Sequence, residues 1–140
     1  MQLKMTKKKL TEFMSQEFRQ TADEFEIDDV FPMGITLRLK VGDRHLRPGG
    51  TVSGPSMFAL ADVAVYLAVL AMIGPQALAV TTGGSIDFIR KPAAGVDLIA
   101  ECRLLKLGRV LAVGDVLIRP KGHDEPVARA SLTYSIPPKR

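Results

Sequence analysis

The chain has 140 residues, 46% of them apolar, a formal net charge of +4 and a single cysteine, Cys102. That is one domain's worth of sequence, long enough to bury a core unaided and too apolar for intrinsic disorder. One cysteine excludes an internal disulfide framework and suits a reducing compartment. The basic residues are not interleaved with aromatics in the way a nucleic-acid surface requires.

The N-terminal lysines (Lys4, Lys7, Lys8, Lys9) run into Leu10-Thr11-Glu12-Phe13 and not into an apolar leader, so the expected location is cytoplasmic. These lysines and Lys139-Arg140 read as solvated tails. Leu10, Phe13, Met14 and Phe18 are spaced for a short amphipathic helix. Asp28-Asp29 and Pro32-Met33-Gly34 read as loop, so residues 1–33 are expected to form a helix and a loop. Ile35 to Val41 alternates strictly between apolar and polar, which predicts a half-buried strand. Gly42-Asp43 and Pro48-Gly49-Gly50 then bound a loop.

The rest of the chain is organised around the segment that follows. From Met57 to Ile73 every residue except Asp62 is apolar, and a helix apolar on all sides is a buried one. Gly54-Pro55 suits a helix start, and Ser53 and Ser56 suit its caps. Gly74-Pro75 stops it. The run is slightly short for a membrane span and carries Asp62, so a core helix is expected and no membrane partner. Ala61, Ala64, Ala68 and Ala71 fall at helical spacing and let other elements approach closely.

Every later segment has period two. Thr81 to Lys91 reads as a strand bulged near Gly83-Gly84. Val96, Leu98, Ala100, Cys102 and Leu104 form one face of a long strand. Val110 to Arg119 and Val127 to Ile136 follow, the last with Ala128, Ala130, Leu132 and Tyr134 inward. Short turns imply antiparallel neighbours. The predicted architecture is α+β: a five-stranded antiparallel sheet wrapped around one long buried helix, with a short N-terminal helix, in a single domain spanning 1–140.

Three segments in register carry a resemblance. Gly50 to Ala64 (with Leu60-Ala61-Asp62 inside it), Ser85 to Ala93, and Leu107-Gly108-Arg109 together resemble the signature of hotdog-fold thioesterases of the phenylacetate-pathway, PaaI-like group. The resemblance implies an acyl-CoA thioesterase acting on an aryl or medium-chain acyl group, with coenzyme A as part of the substrate and no separate cofactor. A homodimer, pairing further into a homotetramer, is expected on other grounds: a five-stranded sheet over one helix leaves an open edge, and the Thr81–Lys91 strand can pair with its own copy. The resemblance assigns Asp62 to activating water or attacking the thioester, and the Gly54 N–H to holding the thioester oxygen. Thr81 or Thr82 would lie across a dimer interface and help position the nucleophile. Helix N-termini favour a developing oxyanion, and a carboxylate can serve as general base.

The chain departs from the pattern at Ser53, where the family usually has His, and at Pro55, where it has Gly. Pro55 has no N–H to donate. Arg47 sits near the place of an amide residue in the relatives. Ser53, Pro55, Arg47, Met57 and Phe58 are candidate substrate contacts, and Arg90, Lys91 and Arg109 are candidates for the phosphates of coenzyme A. His45 and His123 lack partners at metal-ligand spacing, so no metal is expected. Two other readings compete: a non-catalytic acyl-CoA-binding or regulatory module, and a dehydratase, which would need a histidine paired with an acid near the helix.

Overall fold

The computed structural model describes residues 2–138, so Lys139-Arg140 lie outside it. The chain runs α1 (Lys7–Glu17), β1 (Phe25–Phe31), β2 (Gly34–Leu39), α2 (Gly54–Ile73), β3 (Val80–Phe88), β4 (Leu98–Leu107), β5 (Leu111–Pro120) and β6 (Ala128–Ser135). The strands form one antiparallel sheet in the order β1-β2-β4-β5-β6-β3. It curls around α2 in the hotdog manner, with α1 packed over the sheet's open side.

The central helix is built as its sequence dictates. Ser53 caps it, its hydroxyl accepting from the Ser56 N–H at 3.3 Å, and Pro55 stands in the first turn. Gly74 ends it at φ 95°, a left-handed conformation that glycine adopts without steric cost. Twelve of its twenty residues are buried, which settles how a segment long and apolar enough to cross a membrane is used here: it fills the sheet's concave side. Facing it are Ile35, Leu37 and Leu39 of β2, Leu98, Ala100 and Cys102 of β4, Val116 and Ile118 of β5, and Ala128, Ala130 and Leu132 of β6, all buried. Burial above all, with Asp115 adding to it, pushes the Cys102 thiol up to about 12, so it packs as an inert core residue.

One glycine lets the sheet close on the helix: a Cβ at Gly114 would lie 2.8 Å from the Val65 side chain, whereas one at Gly84 would meet Leu132, its cross-strand partner in β6, at 2.8 Å. Gly114→Ala is therefore expected to lower stability by about 1–3 kcal/mol through overpacking, read as a fall in the thermal midpoint with activity retained below it.

The sheet has six strands among the described residues, not the expected five. The additional strand is β1, within the segment read as helix and loop. Asp28-Asp29 sits at a register shift between Ile27 and Asp29, and Asp28 pairs with Arg38 of β2 at 3.2 Å. An edge strand with one neighbour tolerates such a bulge and its charges. The alternation of Phe25 and Ile27, resumed at Val30 beyond the bulge, was the signal for it. Elsewhere the expected elements stand within a few residues of their predicted limits, including a register shift between Thr81 and Gly83 in β3.

Candidate active site

Asp62 lies two turns into α2, half-buried, on the side of the helix that meets β3 and β6. Thr81 of β3 donates its hydroxyl to Asp62 Oδ1 at 2.6 Å, and the Tyr134 hydroxyl of β6 donates to the same oxygen at 2.7 Å. Tyr134 also reaches the Asp62 carbonyl oxygen at 3.1 Å. Thr81 and Tyr134 are cross-strand partners in the β3–β6 ladder, so one register position delivers both hydroxyls to one carboxylate. Thr81 and Asp62 meet within one chain, a contact the resemblance had placed across a dimer interface. Thr82 does not join them: at the bulge its hydroxyl turns to the Thr133 carbonyl at 3.4 Å.

Asp62, Thr81 and Tyr134 open onto a cavity of about 460 Å³. Its other walls are apolar and aromatic, among them Met14 and Phe18 from the N-terminal helix and its cap, Phe25 of β1, and Val63 and Tyr66 of α2. The Phe18 and Tyr66 rings meet edge to face with centroids 5.5 Å apart, and the Tyr66 and Tyr134 rings lie 5.9 Å apart. Burial, reinforced by Glu17, raises the Tyr66 phenol to about 12, so it lines the cavity as a neutral group. A carboxylate at the wall of an apolar cavity is suited to acting on a reactive carbonyl whose apolar remainder fills the space.

A second feature lies at the start of the helix. Of the first-turn donors, the Ser56 N–H goes to Ser53 Oγ, the Met57 N–H goes to the Ser53 carbonyl, and Pro55 has none. The Gly54 N–H meets no acceptor among the described residues. It is thus a free backbone donor at the positive end of a long helix, the equipment of an oxyanion site. Gly54 also touches β3: a Cβ there would lie 3.0 Å from the Phe88 ring.

The remaining candidates scatter. Ser53 is a cap, and its hydroxyl also meets that of Ser56 at 2.9 Å. Met57 is buried in the core and Phe58 packs beside Gly84. Pro55 borders a shallow depression with Glu24 and His45. Arg47 is exposed on a tight loop whose backbone bonds to Thr51 and Gly50. Arg90 is tied to the Pro126 carbonyl and to Glu125. Lys91 is exposed, and Arg109 lines a separate groove with Ile73 and Val110. None of these residues lines the Asp62 cavity.

Two functional features escaped the sequence. Tyr134 was legible as inward-facing, but nothing in a period-two pattern says that an inward tyrosine ends on a carboxylate carried by another element. His45 was read as a partnerless loop histidine, away from the helix. In fact it is buried beside the first turn of α2 and paired with an acid: its Nε2 lies 2.5 Å from Glu24 Oε1, and its Nδ1 accepts from the Gly42 N–H at 2.9 Å. The Gly42 donor places the ring hydrogen on Nε2. Both nitrogens are spoken for, and the His45 carbonyl accepts from the Ser53 N–H at 2.7 Å. His45 therefore pins the loop that leads into the Gly54 turn. Glu24→Ala should lower stability by about 1–3 kcal/mol by leaving a buried donor unpaired, measured by denaturant unfolding, whereas Glu24→Gln, which still accepts, should cost much less.

Residues 49–127, more than half of the chain, match the thioesterase superfamily. A candidate thioesterase from Silicibacter sp. TM1040 is 58% identical over 99% of this chain and 96% of its own, with a TM-score of 0.92. A point mutant of the phenylacetic acid degradation protein PaaI from Thermus thermophilus is 26% identical over 90% of this chain and 99% of its own, with a TM-score of 0.72. The Streptococcus mutans UA159 protein smu.793, bound to acetyl-CoA, shares the fold at 24% identity over 83% of this chain and 90% of its own, with a TM-score of 0.72. No curated protein matches the chain. The fold, the helix-borne acid and these likenesses agree: the chain belongs to the thioesterase superfamily, as a hotdog-fold thioester hydrolase of the PaaI-like kind.

Proposed function

We propose that the chain hydrolyses acyl-CoA thioesters whose acyl group is an aryl group or a medium-length chain, in the cytoplasm, as a homodimer with sites shared between protomers. The observation that carries this reading is the Asp62 carboxylate at the wall of an aromatic-lined cavity of about 460 Å³. Phe18, Phe25, Tyr66 and Val63 offer flat and branched apolar surface to an acyl group, and the name of the Thermus relative points the same way, to phenylacetic acid.

The chemistry balances with these residues alone. Asp62 takes a proton from water as the water oxygen bonds to the thioester carbonyl carbon. The carbonyl oxygen becomes an oxyanion on the Gly54 N–H. Its collapse breaks the C–S bond, and the proton passes to the departing thiolate. Direct attack by Asp62, followed by hydrolysis of the resulting anhydride, reaches the same products. Single turnover in ¹⁸O-labelled water separates the routes, since only the second puts label into the protein.

A second copy of the chain suits the geometry. Gly54 and Asp62 are eight residues apart on one helix, about 12 Å of axial rise, a wide span for a donor and a base that act on one carbonyl. The edge strand β3 offers a closer pairing. Its outer edge is unpaired, and its residues are almost all exposed, Val80 and Phe88 by more than half. Such an edge invites pairing with its own copy. Antiparallel pairing about a twofold axis between Gly84 and Ser85 sets Thr81 opposite the partner's Phe88. Thr81 marks Asp62 and Phe88 marks Gly54, so the base of each protomer comes to the oxyanion donor of the other. Light scattering at micromolar concentration should give at least a dimer, and a monomer would contradict the shared site.

The direct test is a panel of acyl-CoA thioesters assayed with a thiol-reactive dye. Aryl and medium-chain substrates should give the highest kcat/KM. A purified protein that binds acyl-CoA and releases no thiol would favour the non-catalytic reading instead.

A further inference from the structure

Within the hydrolytic reading of the site, on which this inference rests, we propose that Tyr134 is a positioning residue that, with Thr81, assigns the two oxygens of Asp62 different tasks: Oδ1 is held, and Oδ2 does the chemistry. Oδ1 receives the Thr81 hydroxyl at 2.6 Å and the Tyr134 hydroxyl at 2.7 Å, while no side chain among the described residues donates to Oδ2. Two donors on one oxygen fix the carboxylate's plane. The free oxygen then points its lone pairs at the cavity and takes the proton from water.

Tyr134 is suited to the task by its place. It is buried, it belongs to β6, a strand paired on both sides by β5 and β3, and its ring packs on Tyr66, so its hydroxyl is held on a rigid arm. It also stays a donor. Burial above all raises its phenol far beyond the ordinary tyrosine range; the Thr81 hydroxyl works the other way, and the hydrogen bond and charge of Asp62 add to the rise. The ionisable groups beside Asp62 at the cavity wall are Tyr134 from β6 and Tyr66 from α2 itself, with Glu17 of α1 acting on Tyr66; among the described residues no lysine, arginine or histidine lines the cavity. The two hydroxyls are thus the groups that hold the carboxylate in place.

Tyr134→Phe keeps the ring and removes the hydroxyl. We expect kcat to fall about ten- to a hundredfold with KM within about twofold. The loss should fall on kcat alone, with the thermal midpoint nearly unchanged, because the ring and its packing are kept and only the hold on Oδ1 is lost. A role confined to core packing would lower the thermal midpoint or raise KM and leave kcat at the parent value. Thr81→Val is the second variant; it sits on the exposed strand β3, so folding is not at stake, and it should reproduce the same loss in kcat. Asp62→Asn, assayed alongside, separates the positioning role from the hydrolytic one. If it is inactive while Tyr134→Phe and Thr81→Val match the parent or change KM alone, the division of labour is wrong and the hydrolytic site stands. If it matches the parent, both fall.

Discussion

Asp62→Asn should lose about a hundred- to ten-thousandfold in turnover while keeping its fold and its assembly, the usual scale for removing a general base. The substitution is nearly isosteric. The amide oxygen can still accept from Thr81 and Tyr134, as Oδ1 does now at 2.6 and 2.7 Å, and the amide nitrogen replaces Oδ2 at the cavity wall. Nothing else in the core has to move, so the thermal midpoint should shift little and acyl-CoA should still bind. Stopped assays over the substrate panel, with circular dichroism as the control for folding, read this out. Parent-level turnover would reduce Asp62 to a structural acid. Unfolding, or dissociation into monomers, would make it a residue of the dimer seam.

Gly54→Pro should cost about a hundred- to a thousandfold, the scale for losing one oxyanion donor. Proline removes the N–H, the one first-turn donor left without an acceptor among the described residues. The preceding Ser53 is already extended, at φ −73° and ψ 152°, a conformation that tolerates a following proline. Any new side chain here meets the Phe88 ring at 3.0 Å, so Gly54→Ala is the matched control: it crowds the same ring but keeps the N–H. The alanine variant should retain most of its activity if the ring, which is half-exposed, swings aside. Equal losses in the two variants would assign the effect to crowding and remove Gly54 from the mechanism.

What was legible in the chain follows a physical boundary. The helix could be read to within one residue because its signals are local: a serine cap, a proline in the first turn, a terminal glycine and an unbroken apolar run. The inward faces of β2, β4, β5 and β6 could be read because period-two alternation survives wherever one face meets the core. β1 was lost because its polar pair Asp28-Asp29 sits on a bulged edge, where the compensating Arg38 comes from another strand. Asp62 stood out as the one charge in an apolar helix, and Gly54 as the residue before a helix-initiating proline. The partners of Asp62 did not. Thr81 was named without its in-chain bond to Asp62, and Tyr134 comes from a strand 72 residues away. Long-range register, which single-sequence patterns do not carry, sets both contacts. His45 was missed for the same reason, since Glu24 lies 21 residues upstream.

If each site joins Asp62 of one protomer to Gly54 of the other, mixed dimers will show it most directly. Asp62→Asn and Gly54→Pro chains, carrying different tags and purified through both, form dimers in which every chain is defective. With shared sites, one site of each mixed dimer combines both defects and the other combines neither, so about half of the parent rate per dimer should return. With sites confined to single protomers, both stay broken. Mixed dimers no faster than the two defective homodimers would contradict the account.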